Sequence, residues 1–241
     1  MSDIHANREA LEACLLDARA QGAGRFVFLG DFVGYGADPK WVIQTCGDLM
    51  AAGAVGLLGN HDSAISDPQQ SLSPAARAAI DWTRAELNVA ERAFLQALPL
   101  KIEEADRLYV HADATAPADW IYVRGLDEAY RSLRASPARL TFHGHVHRPA
   151  LYTITLTMKL NGFLPITAAA VPLLPQRRWL AVLGAVGQPR DGNPAAAYAL
   201  LDDRSNALTF MRVPYLIEAA ARKIRAAGLP ATLAERLFAG G

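Results

Sequence analysis

Between Ala6 and His147 the chain alternates helical and strand periodicities, and strand after strand runs into a short cluster of Gly, Asp and His. Apolar spacing predicts helices over Ala6–Gln21 and Pro39–Met50, a helical pair over Ser73–Ala85 and Val89–Ala97, and a helix near Leu126–Ala135. Between them Arg25–Leu29, Ala54–Leu58, Arg107–His111 and Arg139–His143 are short apolar runs with the character of buried strands. After His147 the pattern changes. Leu151–Met158, Trp179–Leu183, Ala197–Leu201 and Ala207–Val213 are β-rich and separated by Pro/Gly turns, before a last helical stretch from Leu216 to Gly228 that resumes beyond Pro230. A parallel first half and an antiparallel second half, without linker or repeat, define one α/β domain over residues 1–241.

Composition narrows the class. The 241 residues are 51% hydrophobic and 20% charged, as in a globular protein with a substantial core. Lys+Arg 24 balance Asp+Glu 24, so no overall field draws in a nucleic-acid duplex or an anionic membrane. The longest uncharged stretch, Leu160–Gln176, contains three prolines and cannot span a bilayer. The polar first residues lack the apolar run of a signal peptide, so a cytoplasmic location is expected. Cys14 and Cys46 fall on apolar helical stripes and are expected as buried thiols.

The chemistry lies at the strand ends. Five of the six histidines share short segments with other metal-capable groups: Asp3-Ile4-His5, Gly59-Asn60-His61-Asp62, Val110-His111 and Gly144-His145-Val146-His147, with Gly30-Asp31 between them. Singly, Asp3-x-His5 is a polar terminus and Gly30-Asp31 a common turn. Together they differ, because strand ends in an open α/β sheet converge on one rim where ligands bind. Alternation points His143 away from His145, towards a structural role.

These residues, in this order, resemble the calcineurin-like metallophosphoesterase superfamily, whose signature is D-x-H, G-D, G-N-H-D/E, H and G-H-x-H, each after a strand. The chain is further similar to a bacterial and archaeal subgroup of small phosphodiesterases through Gly30-Asp31-Phe32-Val33-Gly34-Tyr35-Gly36 and Gly187-Gln188-Pro189-Arg190-Asp191-Gly192. The resemblance implies a four-layer αββα sandwich of two face-packed mixed β-sheets flanked by helices. It implies two divalent ions, the first held by Asp3, His5, Asp31 and His147, the second by Asp31, Asn60, His111 and His145. His61 would be the catalytic imidazole, acting as general acid on the leaving oxygen, with Asp62 orienting it. The implied reaction is attack on phosphorus by a metal-held hydroxide. Two divalent ions with Asp3, Asp31 and that hydroxide keep about one net positive charge for a phosphate oxygen. Mixed imidazole and oxygen donors without thiolate suit Mn, the preferred ion, or Fe, Zn or Ni.

Departures from the family pattern fall around the substrate. Gly34-Tyr35 stands where phosphoprotein phosphatases carry Asp-Arg, Ala112-Asp113 follows the fourth-motif histidine, and Val182-Leu183-Gly184-Ala185 replaces the usual Asn-Pro-Gly-Ser turn. Arg190 is a candidate substrate contact, set against a surface ion pair. The expected substrates are small phosphodiesters or nucleotides, with dinucleoside polyphosphate hydrolysis and a non-catalytic metal-binding scaffold as alternatives and a homodimer as an open arrangement. Only Met1 and Ser2 precede Asp3, where relatives have a whole apolar strand. An apparently missing first strand is expected to leave neighbouring backbone unpaired and the first ion weakly held.

Overall fold

The computed structural model describes residues 1–241. In chain order, α1 (Arg8–Ala20) leads to β1 (Val27–Phe28), α2 (Pro39–Ala51), β2 (Val55–Gly56), α3 (Asn60–Ala64), α4 (Pro74–Glu86) and α5 (Val89–Gln96). Then come β3 (Lys101–Glu104), β4 (Arg107–Val110), α6 (Leu126–Arg134), β5 (Leu140–His143), β6 (Ala150–Thr155) and β7 (Leu160–Phe163). The chain closes with β8 (Ala170–Pro172), β9 (Arg177–Val182), β10 (Ala196–Asp202), β11 (Ala207–Val213), α7 (Ile217–Ala226) and α8 (Ala231–Ala239).

Local chemistry sets the helix starts. The Asn7 side chain accepts the Ala10 N–H and caps α1, which starts two residues later than periodicity alone predicts. Ser73 caps α4 ahead of Pro74 at the first helical position, and Asn88 with Glu91 forms a reciprocal capping box on α5. Three strands escaped the sequence reading. Lys101-Ile102-Glu103-Glu104 is short and charged, as an edge strand is; Leu160–Phe163 is also an edge; and β8 contains Pro172, tolerated because it lies at the end of its sheet.

A six-stranded mixed sheet runs β3-β4-β5-β9-β6-β7, with β4, β5 and β9 parallel and the remaining pairs antiparallel. Facing it lie the parallel pair β1-β2 and the antiparallel β10-β11-β8. Leu29, Leu57, Leu208 and Phe210 of this second layer share one buried cluster with Tyr109, Phe142, Trp179 and Ala181 of the six-stranded sheet. On its outer side, Leu11 and Cys14 of α1 and Val42 and Cys46 of α2 pack with Phe28 and Tyr198. Ala129 and Leu133 of α6 cover Tyr152, Ile154 and Leu180 on the outside of the larger sheet. Helix, sheet, sheet and helix form the expected four layers, and both cysteines are buried thiols.

Met1–Asp3 occupies the first-strand position. The Met1 ammonium donates to Val27 O (2.9 Å), Leu29 N to Met1 O (3.0 Å) and Asp3 N to Gly30 O (3.1 Å). On the other side Val186 N donates to Ser2 O (2.9 Å) and Gly187 N to Asp3 O (2.8 Å). Ala197 N in turn donates to Ala185 O (2.9 Å), so this three-residue segment links β1 to β10. The backbone beside Asp3 and His5 is therefore paired, contrary to the expectation from sequence. Met1, Arg25, Val27 and Ala199–Leu201 border a cavity of about 600 Å³.

Candidate metal centre

Each segment singled out in the sequence arrives at one buried spot. Ligand atoms of Asp3, His5, Asp31 and His147 all lie within 4.8 Å of one another, and the same holds for Asp31, His111 and His145. Asp31 belongs to both groups. Asn60 joins the second, its Oδ1 being 3.2 Å from His111 Nε2.

The backbone is bent to deliver these groups. Asp3 (φ 54°), His5 (50°), Asp31 (55°), His145 (64°) and His147 (61°) all adopt the left-handed conformation. For non-glycine residues this costs about 1–3 kcal/mol each, and such strain concentrates at functional sites. Two glycines admit the crowding: a Cβ on Gly59 would lie 2.2 Å from Asp31 N and Oδ1, and one on Gly187 would lie 1.8 Å from Ile4 O.

The donor set fits cations. His5 Nδ1 lies 3.1 Å from Val33 O, His147 Nδ1 2.6 Å from Gln188 O, and His111 Nδ1 2.6 Å from Leu29 O. Carbonyl oxygens only accept, so each Nδ1 carries a hydrogen, and each ring when neutral presents its Nε2 lone pair inward. His145 is reversed: its Nε2 donates to Trp120 O (2.9 Å), leaving Nδ1 for the centre. Outer hydrogen bonds of this kind fix the tautomers of metal-binding histidines. Facing lone pairs, with His5 Nε2 3.6 Å and His111 Nε2 3.4 Å from Asp31 Oδ2 and His147 Nε2 3.3 Å from Asp3 Oδ1, are the donor arrangement a divalent ion requires.

Burial governs the electrostatics. It pushes the Asp3 carboxyl up to about 7 and lowers the His145 imidazole to about 3, and it also lowers His5 and His147. Those imidazoles are therefore neutral and free to coordinate. Burial alone would lower His111 too, but the Asp31 carboxylate overrides it and raises His111 to about 9. Cationic charge is thus favoured where Asp31 and His111 meet.

His61 is buried at the edge of this cluster, its ring 4.8 Å from that of His5 and its backbone N–H donating to Asp31 Oδ1 (2.8 Å). Asp62 makes no bond to the His61 ring. Its oxygens accept from the backbone N–H groups of Phe32 (2.9 Å), Val33 (3.1 Å) and Gly59 (3.0 Å). Asp62 therefore ties the loop after β1 to the loop after β2, and the expected direct orientation of the imidazole is replaced by a backbone clamp. His61 Nδ1 has no partner. His143 stays outside the cluster, its Nε2 3.2 Å from Ser132 Oγ.

Arg190 forms no ion pair. Its guanidinium lies 5.5 Å from the Tyr35 ring centroid and its Nη2 donates to Gln188 Oε1 (3.1 Å). Tyr35 in turn packs against His61 (4.4 Å) and His5 (4.5 Å). Sequence reading assigned Tyr35 no role; the signal available was its place between Gly34 and Gly36, and its own φ is 61°. Tyr122, stacked 4.0 Å from His145, lies on a loop with no such signal.

The four-layer sandwich thus carries two overlapping sets of candidate metal ligands. The calcineurin-like phosphoesterase superfamily domain matches residues 1–206, and the chain belongs to that family. It is similar to an uncharacterised protein of Methanocaldococcus jannaschii, 33% identical over 248 residues that cover 100% of this chain and 96% of the relative. A metallophosphoesterase from Sphaerobacter thermophilus superposes with a TM-score of 0.87 at 34% identity, covering 100% and 98% of the two chains. A hypothetical protein from Pyrococcus horikoshii shares the fold at TM-score 0.78 and 18% identity, covering 100% and 97%.

Proposed function

We propose that this protein is a metal-dependent phosphodiesterase acting on small phosphodiesters or nucleotides. The observation that carries the reading is the single carboxylate, Asp31, shared by two buried sets of ligand atoms. Asp3, His5, Asp31 and His147 would hold one ion; Asp31, Asn60, His111 and His145 would hold the other. When bound, the pair supplies Lewis acidity to the phosphate and to an attacking water. Manganese suits the mixed imidazole, amide and carboxylate donors, and Fe, Zn and Ni are compatible with them.

The chain's own groups supply the rest. Burial lowers His61 to about 4, so at neutral pH it is an uncharged imidazole. It serves the leaving oxygen as an N–H donor, the Gly34–Tyr35 turn holding it in place. Arg190, half-buried and free of carboxylate partners, offers its guanidinium to a phosphate oxygen. A full set of ligands and a buried imidazole beside them support catalysis over a scaffold role.

The test is hydrolysis of phosphodiesters, phosphomonoesters and dinucleoside polyphosphates with Mn, Ni, Zn or Mg, alongside His61→Ala. Metal-dependent diester cleavage that falls at least about a hundredfold in the variant is expected. Wild-type inactivity on every substrate with metal bound would overturn the reading.

A further inference from the structure

Next to the metal centre lies a second cavity, of about 670 Å³, bordered by Arg148, Arg190 and Arg212, by Thr167 and by the 191–193 loop. Two links tie it to the first ligand set. Arg148 directly follows His147, and Arg190 N donates to His147 O (3.1 Å). Arg190 is a shared wall, since its guanidinium also lies over Tyr35 beside His61.

The side-chain charge in this cavity is unbalanced. Asp191 pairs with Arg212, which also donates to Ala195 O (3.0 Å). Arg148 is exposed and has neither hydrogen bond nor ion pair, and the Nε of Arg190 is buried without a partner. Gln188, which is not on the cavity wall, holds Arg190. Arginine can only donate, so the atom that accepts from Arg190 must be the amide oxygen, and the other atom is Nε2. That Nε2 has no acceptor although Gln188 is 1% exposed. A buried donor left unmet is costly, and the Arg190 Nε, on the cavity wall, is one that a ligand or water completes.

We infer that this arginine-lined cavity binds an anionic phosphate group, the one remote from the scissile phosphorus, and so selects substrates carrying a second phosphate. The inference rests on the phosphodiesterase reading and sharpens its substrate class. A simple diester has one charge, which the metal centre already meets. Arg190 is shared with the reacting phosphate, and Arg148, on the cavity side, provides for another.

The metal-loaded protein tests this with a chromogenic nucleoside nitrophenyl phosphodiester, made with and without a second phosphate on the sugar. Wild type is expected to prefer the doubly phosphorylated ester in kcat/KM. Arg148→Ala should reduce that preference about tenfold, the size of one charge-assisted contact, and Arg148→Glu should reduce it further. An unchanged ratio in both folded variants overturns the assignment. Calorimetry with inorganic phosphate is the second arm: wild type should take up an equivalent beyond the metal-bound one, lost in Arg148→Glu. Loss of that equivalent with an unchanged ratio would mark a free-phosphate site and overturn the substrate assignment. If wild type cleaves neither ester, the phosphodiesterase reading fails, while retention of the second equivalent in Arg148→Glu would separately refute the cavity.

Discussion

His5 Nε2 and His147 Nε2 face each other at 3.1 Å across 142 residues of sequence. Both rings are pinned from behind by carbonyl oxygens, so neither can turn its lone pair away. A cation between them removes the repulsion, and it also neutralises the carboxylates beside them.

Removal of either imidazole should therefore empty one position and leave the other. His147→Ala is expected to retain one ion per chain by elemental analysis and to lose more than about a hundredfold in diester hydrolysis, beyond the loss typical of outer partners alone. Two tightly held ions in this variant would contradict the ligand assignment.

Glycine substitutions should separate the two positions by sterics. Gly187→Ala pushes against Ile4 O, between Asp3 and His5, and should weaken the first ion selectively. Gly59→Ala pushes against Asp31 and should weaken both. Metal titrations of the two variants, compared with wild type, make the distinction; equal losses at both positions in Gly187→Ala would refute it.

Asp62 should matter through the backbone. An amide oxygen in Asp62→Asn can replace only one of the two carboxylate oxygens, while its NH2 would meet N–H donors. The expected cost is about 2 kcal/mol of stability, seen as a lower Tm, together with reduced activity. The pH profile of the remaining activity should keep its shape. A shifted profile would restore a direct action of Asp62 on the imidazole.

The first ion should compete with a proton. Burial raises Asp3 to about 7, so in the absence of metal its carboxyl retains a proton up to that pH. Metal binding displaces it, and affinity should fall by up to about tenfold for each pH unit below 7. His5 and His147, lowered by burial, add no such loss near neutrality. Calorimetry in buffers of different ionisation enthalpy measures the released proton; its absence at pH 6 would show Asp3 already ionised.

Periodicity and strand-end composition revealed much of this protein. They placed the alternating helices and strands, and the order of Asp3, His5, Asp31, Asn60, His61, His111, His145 and His147 carried the family resemblance. Those signals are local, because burial of one face imposes a period of 3.6 or 2 and a sharp exit from a buried strand needs Gly or a polar residue. The charged β3 and proline-bearing β8 escaped because their stability comes from neighbours paired across the sheet, not from their own pattern.

Tertiary structure alone decided the rest. Met1–Asp3 is held because β1 on one side and Val186–Gly187 on the other supply its hydrogen bonds, a pairing between segments far apart in sequence. Asp62 clamps two loops, and Arg190 leaves carboxylates to reach towards Tyr35, for the same reason: side-chain partners depend on which strand ends meet. The sequence determined which donors this protein possesses. Sheet pairing and loop packing decided that they share one buried centre, and that an arginine-lined cavity opens beside it.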